Sequence, residues 1–114
     1  MQLDAGRLRD QRIFTATERE EIGRRAIDAI SQQLGALERA VAGRDLAAAA
    51  EAAHRARNET LLVGARELSE AFQSVEDAAR EVSGSGVDEA AAAARAVWPS
   101  TREAIVRATY GATG

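Results

Sequence analysis

The chain contains a single histidine, His54, which lies in an alanine-rich stretch at the middle of a predicted helix over residues 46–63. Ala53 and Ala56 belong to the apolar side of that helix, so the imidazole is expected to point away from the core. A neutral imidazole is a competent nucleophile near neutral pH. Helical offsets of three, four and seven place five residues on the same face: Ala50, Glu51, Arg57, Asn58 and Leu61.

Arg57, one helical turn after His54, is the second chemical group of this face. Its guanidinium is a planar fork that suits phosphoryl oxygens, so the pair combines a nucleophile with an anion-binding donor. A lone histidine on a helix surface is also commonly just a solvated residue. All 15 basic residues are arginine, so compositional bias alone also accounts for an arginine at this position. The spacing therefore leaves a functional and a purely structural interpretation open.

The composition excludes several other kinds of site. Cysteine is absent, which excludes disulfides, thiol nucleophiles and thiolate metal ligands. One histidine and no Asp-rich loop exclude a His-based zinc site or an EF-hand within one chain. The sequence SGSG at 83–86 lacks the Lys-Ser/Thr that completes an ATP-binding phosphate loop. A net charge of −3 without a basic stripe excludes nucleic acid as a partner.

The bulk properties predict one small globular domain over residues 1–114. Apolar residues make up 46% and charged residues 29% of the chain, an ordinary globular mixture. No apolar run approaches the roughly 20 residues of a membrane span. Acids alternate with arginines in the first 14 residues, so they do not form a secretory signal, and we expect a cytoplasmic protein with no membrane partner. The 27 alanines favour helices.

Two capping signals mark the start of the first long helix. Thr15 and Thr17 each precede a glutamate by three residues, Glu18 and Glu20, which is the spacing of a capping box. Apolar residues then recur at steps of three and four and predict one amphipathic face: Ile22, Ala26, Ala29, Ile30, Leu34, Leu37 and Val41.

Glycine and aspartate separate the first long helix from the helix that carries His54. Gly43 ends the first, Asp45 is placed to cap the second, and Gly64 stops it. The buried stripe of the helix over 46–63 is made mostly of small residues, which allow a neighbouring helix to approach closely. Its predicted members are Leu46, Ala49, Ala50, Ala53, Ala56, Thr60 and Val63.

Two further helices follow. A third is predicted over 66–82, with these residues on its apolar side: Leu68, Ala71, Phe72, Val75, Ala78, Ala79 and Val82. After the loop at 83–86, a fourth helix starts near Asp88, and Pro99 predicts a kink or short break between residues 97 and 100. The apolar side of this fourth helix is expected to contain Val87, Ala91, Ala94, Trp98, Ile105 and Ala108.

Four amphipathic helices with short connections predict an all-α fold, an antiparallel up-down four-helix bundle over residues 17–110. A short extra helix is expected within 1–14, and the tail at 111–114 should be frayed. We expect a monomer. A structural protein that dimerises through its Ala-rich stretches, at 47–50 and 90–94, is the alternative.

The segment over residues 52–82 resembles the signature of histidine-containing phosphotransfer (HPt) domains. Ala53-His54 begins the pattern, Ala56 takes its hydrophobic position, and Arg57 stands where the family usually has lysine. The rest of the pattern follows at the expected spacing, in Thr60, Gly64, Ala65, Leu68, Phe72, Val75 and Glu76. The Gly-Asp approach to the helix, before the histidine, is also similar to that of the family.

The resemblance implies a phosphorelay intermediate of two-component signalling. His54 would accept a phosphoryl group on Nε2 from a receiver-domain phospho-aspartate and pass it to another receiver, with Arg57 contacting the phosphoryl group. Glu76 matches a family position that accepts a hydrogen bond from Nδ1–H and so orients the ring. Gln73, one turn earlier, either contacts the phosphoryl group or faces solvent.

The resemblance also implies how the protein works with others. It would be a phosphoryl carrier rather than an enzyme, with no ATP site, cofactor or metal site of its own, and the receiver domain would bring Mg²⁺. Its partners would be a response-regulator receiver domain and a histidine kinase or hybrid kinase. They would dock on the His54 face, where Ala50, Asn58 and Leu61 are the candidate contacts.

Two positions depart from the family pattern. Asn58 stands where the family has a glycine that leaves room beside the imidazole, and Glu59 replaces a small residue. Asn58 is compatible with normal transfer, altered partner choice or slower transfer. These departures favour an alternative function, a non-catalytic HPt-like module that docks and regulates a receiver or kinase. Glu76 likewise has an alternative role, as an exposed acid paired with Arg80 at i+4.

Overall fold

The chain forms four helices over the part that the structure describes, residues 15–109 of a computed structural model. The helices are α1 (Ala16–Ala42), α2 (Leu46–Leu62), α3 (Arg66–Arg80) and α4 (Val87–Thr109). No strand occurs within the described range, which is therefore all-helical as expected. The short helix expected within 1–14 and the tail at 111–114 lie outside it.

Helix α1 starts with the predicted capping box, which uses Thr15 rather than Thr17. The Thr15 Oγ1 accepts the Glu18 N–H at 3.1 Å, and the Glu18 Oε1 accepts the Thr15 N–H at 3.1 Å. The backbone hydrogen bond from Thr15, aided by its hydroxyl, lowers the pKa of the Glu18 carboxyl. Two donors that a helix start leaves unpaired are thereby satisfied.

The turn between α1 and α2 contains the glycine and the aspartate that were predicted to end one helix and to cap the next. Gly43 is the C-cap residue of α1, and Arg44 adopts a left-handed φ of 56° that helps reverse the chain. The Asp45 side chain then accepts the Ala48 N–H at 3.1 Å and caps α2. Arg44 also forms an ion pair with Asp88 at 2.9 Å, which ties this turn to the start of α4.

The apolar faces of the four helices meet in one core. Helix α2 packs against α1 and α3, and α4 packs against the same two helices. The largest fully buried side chains are Ile30, Leu34, Leu37, Val63, Leu68, Phe72, Val75, Val87 and Ile105. The face that α2 contributes is built instead from alanines: Ala49, Ala50, Ala52, Ala53 and Ala56. Within the described range, none of the helices is both long and apolar enough to cross a membrane.

Val82 was predicted on the core side of the third helix, and this prediction is wrong. Helix α3 ends at Arg80, and Glu81 adopts extended backbone angles, with φ −71° and ψ 148°. Val82 therefore lies outside the helical periodicity that would have turned it inward, and it is fully exposed.

A kink or a short break was expected between residues 97 and 100, and the break is absent. Helix α4 runs through Pro99 without interruption. Pro99 lies on the exposed side of α4, and so does Arg95, whose carbonyl loses the usual N–H donor. On that side water can replace the missing hydrogen bond. Ser100 Oγ and Thr101 Oγ1 each donate to the Val97 carbonyl at 3.1 Å, adding local bonds around the proline.

Candidate functional site

His54 lies at the middle of α2, and its ring points away from the core as predicted. Ala53 and Ala56 are fully buried on either side of it, whereas 46% of the imidazole side chain is exposed. The alanines on α2 bring α3 close, so the exposed ring lies beside side chains of that neighbouring helix. The nucleophile is therefore half open to solvent and half supported by α3.

Glu76 on α3 is the group that supports the ring. Its side chain is only 4% exposed, and its Oε1 lies 3.2 Å from His54 Nδ1. Its Oε2 forms an ion pair with Arg80 Nη1 at 2.6 Å. The expected pairing with Arg80 is present, but the idea of Glu76 as an exposed acid is wrong. One buried carboxylate uses one oxygen for the histidine and the other for an arginine.

The contacts at Nδ1 decide which ring nitrogen carries the proton. Nδ1 lies 3.2 Å from Glu76 Oε1 and 3.4 Å from Arg57 Nη2. A carboxylate only accepts and a guanidinium only donates, so Nδ1 satisfies one neighbour or the other. A lone pair facing a buried carboxylate is repelled, while an N–H is attracted. We therefore assign the proton to Nδ1, which leaves the Nε2 lone pair available as a nucleophile.

Arg57 lies beside the carboxylate rather than extending into solvent. Its side chain is 25% exposed, and its Nε is 3.8 Å from Glu76 Oε1. That Nε is buried and donates no hydrogen bond within residues 15–109. The guanidinium is thus near the Nδ1 edge of the imidazole, and its role as a phosphoryl contact stays a prediction.

A groove of about 550 Å³ adjoins His54 between α2 and α3, and we refer to it as the His54 groove. It is lined by Leu46, Ala47, Ala50, Glu51, His54, Ala79 and Arg80. Ala50 was expected on the partner-facing surface, but it is only 6% exposed and forms part of the groove wall instead. Alanine at positions 47, 50 and 79 leaves this space open, because a larger side chain would fill it.

The remaining predicted site residues differ in how far their side chains are exposed to solvent. Asn58 is exposed and Leu61 is 48% exposed, and their role as partner contacts stays a prediction. Gln73 is half-buried, its Nε2 donates to Asp77 Oδ1 at 2.9 Å, and its contact with a phosphoryl group stays a prediction. Within the described chain, no three His, Asp or Glu side chains converge to hold a metal ion.

The position of Arg80 on the groove is the feature that sequence reasoning missed. Its i+4 spacing from Glu76 predicts their ion pair, but spacing along one helix cannot predict which surface the pair faces. That depends on how closely α2 and α3 approach. The buried alanines of α2 were the available signal, because they indicate a close neighbour without identifying its residues.

Comparisons with known proteins do not assign a function to the chain. No protein-family model matches the chain, and neither a curated protein nor a solved structure matches it. The chemistry of the site therefore has to be argued from the pairing of an exposed imidazole with a buried carboxylate and two arginines.

Proposed function

We propose that the protein is a phosphoryl carrier of the HPt type, an intermediate in a two-component phosphorelay. His54 accepts a phosphoryl group on Nε2 from a receiver-domain phospho-aspartate and passes it to another receiver. The observation that carries this proposal is the 3.2 Å contact between His54 Nδ1 and the buried Glu76 carboxylate. It favours the tautomer in which Nε2 keeps its lone pair, on a ring that is 46% exposed.

The transfer step uses this arrangement directly. The Nε2 lone pair forms a bond to phosphorus as the bond between phosphorus and the aspartate oxygen breaks. The electron pair of the broken bond leaves with the aspartate carboxylate. The ring keeps its Nδ1 proton and becomes positively charged, and the adjacent Glu76 carboxylate stabilises that charge. Transfer to a second receiver reverses these steps.

The arginines give the site a net positive charge that suits a phosphoryl group. Glu76 contributes one negative charge, while Arg57 and Arg80 contribute two positive charges within ion-pair distance of it. A guanidinium binds phosphoryl oxygens well, which supports Arg57 as a phosphoryl contact. Gln73 has a second amide N–H beyond the one donated to Asp77, and the proposal assigns this N–H to a phosphoryl oxygen.

The proposal assigns the remaining chemistry to the partners. The chain acts as a carrier rather than an enzyme, and Mg²⁺ belongs to the acidic pocket of the receiver. A receiver or a histidine kinase docks over His54, with Asn58 and Leu61 at the contact and the groove wall at Ala50 beneath. In this proposal the four helices form an antiparallel up-down bundle with a short N-terminal helix within 1–14. The protein acts as a cytoplasmic monomer.

A second candidate function is a non-catalytic module that docks a receiver or kinase and regulates it. The exposed side chain of Asn58 favours it, because it lies one turn from His54 where the HPt pattern has glycine. In this function the same surface binds the partner, and His54 never carries a phosphoryl group.

Incubation with phosphorylated receiver domains distinguishes the two functions. The carrier acquires one acid-labile phosphoryl group on His54, detected by intact-mass spectrometry, and the His54→Gln variant acquires none. Absence of phosphohistidine with several receivers contradicts the carrier function. A complex of the same affinity with wild type and His54→Gln, without any transfer, supports the docking module.

A further inference from the structure

We infer that Glu59 determines which receiver domains dock on the chain, by pairing with an arginine or lysine of the receiver. The receiver covers the exposed leucines of the same helical turn, which is the last turn of α2, residues 59–62. This inference rests on the proposed carrier function and deepens it, because it states the chemistry of the receiver surface that fits beside His54. Neither Glu59 nor Leu62 has a part in the transfer step itself.

The last turn of α2 exposes two adjacent leucines. Leu61 is 48% exposed and Leu62 is 59% exposed. Among residues 15–109, the only other large apolar side chain that is exposed is Val82, which follows α3. A single exposed apolar residue is ordinary, but two in one turn form a small apolar patch, and a partner that covers it removes that area from water. The patch therefore suits an apolar partner surface.

Glu59 adds a negative charge to this turn, and the described part of the chain does not balance it. Helices α1, α3 and α4 each have an arginine in their last turn, whereas α2 has no basic residue there. The helix dipole favours cations and disfavours anions at this end. Arg55, four residues before Glu59, pairs with Glu51 instead. Glu59 is half-buried, and its carboxylate makes no hydrogen bond or ion pair with another residue of 15–109. A cation supplied by a partner therefore meets an acid that no arginine of this range already holds.

The last turn of α2 lies within reach of a receiver that docks over His54. Steps of four residues join His54 to Asn58 and Asn58 to Leu62, so the three side chains follow one another along α2. Leu62 is about 12 Å from His54 along the helix axis, at roughly 1.5 Å per residue. Glu59 lies three residues before Leu62 and so flanks the apolar patch. A receiver surface fits this arrangement when an arginine or lysine borders its apolar side chains.

Transfer to His54 from a phosphorylated receiver, the one that reacts fastest with wild type among a panel, tests the charge. The rate is measured against receiver concentration in low salt and in about 0.5 M NaCl, where charge interactions are largely screened. In low salt, Glu59→Gln should raise the receiver concentration for half-maximal transfer about fivefold and retain the saturated rate, and Glu59→Arg should raise it further. The difference from wild type should shrink in high salt. Glu70→Gln, which removes an exposed acid from α3, is the matched control and should behave as wild type.

Leu62→Ala tests the apolar patch. It should raise the same receiver concentration about fivefold at both salt concentrations, because the smaller side chain gives the receiver less apolar area to cover. The urea midpoint of unfolding should not fall, since Leu62 is already exposed in the free protein. A Leu62→Ala variant that reaches half-maximal transfer at the wild-type receiver concentration would overturn the apolar contact.

Two outcomes at Glu59 would overturn the inference while leaving the carrier function intact. One is an equal half-maximal receiver concentration for wild type, Glu59→Gln and Glu59→Arg. The other is a loss from Glu59→Gln that persists undiminished in high salt, because a paired charge would then not be its cause. Failure of the wild type with every receiver and with phosphoramidate, a small phosphoryl donor, would instead contradict the carrier function.

Discussion

His54 and Glu76 lie 22 residues apart in sequence, yet a 3.2 Å contact joins them across the α2–α3 interface. The two side chains differ sharply in accessibility, with 46% of the histidine exposed and only 4% of the glutamate. Burial strengthens the electrostatic effect of the carboxylate, and exposure leaves the ring open to a reaction partner. The pair thus combines a fixed charge with an accessible nucleophile.

Glu76→Gln should slow the phosphorylation of His54 without abolishing it. Glutamine can still accept the Nδ1–H, but it cannot balance the positive charge that the ring acquires. A hydrogen bond to a charged group is worth about 1.5–3 kcal/mol, so a loss of about tenfold or more in rate is expected. Glu70→Gln is the matched control, because Glu70 is an exposed acid on the same helix. Equal rates for the two variants would show that the buried charge plays no part.

Asn58→Gly should speed transfer from a phosphorylated receiver while leaving the reaction with phosphoramidate unchanged. A protein partner has to approach the surface next to the ring, whereas a small donor does not. Asn58→Gln, which enlarges the same exposed side chain, should slow only the reaction with the receiver. Stopped-flow or quench measurements with both donors check this. Equal receiver rates for Gly, Asn and Gln would mean that position 58 does not limit docking.

Gly84→Ala should destabilise the protein and disturb the His54 groove. Gly84 has a φ of +61°, and a Cβ built there would clash with Cδ1 of Leu46, a side chain of the groove wall. Strain and overpacking together should cost about 1–3 kcal/mol in the free energy of unfolding, measured in urea. Gly86→Ala is the control, because its Cβ would make only an ordinary 3.7 Å contact with Ala78. Comparable losses in the two variants would contradict this explanation.

The capping box at Thr15 and Glu18 should make stability depend on acid pH. Hydrogen bonds from Thr15 lower the Glu18 pKa in the folded state, so ionised Glu18 stabilises the fold above the pKa it has when unfolded. That stabilisation is lost as the pH falls through the lowered folded-state pKa. Glu18→Gln should therefore lower the thermal midpoint at neutral pH and approach wild type once the pH lies below the lowered folded-state pKa of Glu18. A midpoint difference that stays constant with pH would refute this contribution.

Local signals in the sequence predicted most of the helix ends. Thr15, Gly43 and Asp45 act through hydrogen bonds to residues within four positions, so their neighbours along the chain suffice to predict them. The prediction that Val82 is buried is wrong because helix α3 ends at Arg80. Two residues beyond a helix end, the helical periodicity no longer applies. The break expected at Pro99 is absent because its side of α4 faces solvent, where a lost backbone hydrogen bond is easily replaced.

The site was only partly predictable, because its parts come from two helices. Periodicity placed His54 on the surface of α2, and the HPt resemblance pointed to Glu76 as its partner. Neither could indicate that Glu76 is buried, that Ala50 is a wall of a groove, or that Arg80 faces the same groove. These properties depend on the distance between α2 and α3, which no spacing along a single helix encodes.

The buried alanines of α2 have a consequence for how the protein tolerates substitution. Alanine has almost no side chain to lose, so apart from glycine every replacement at Ala49, Ala52, Ala53 or Ala56 adds volume. Added volume pushes the neighbouring helices away from α2, and where α3 moves outward the contact between His54 and Glu76 lengthens. Substitutions at these alanines, other than to glycine, can therefore lengthen the His54–Glu76 contact but cannot shorten it. A random mutant library should show this asymmetry, with loss of phosphohistidine tracking the size of the new side chain.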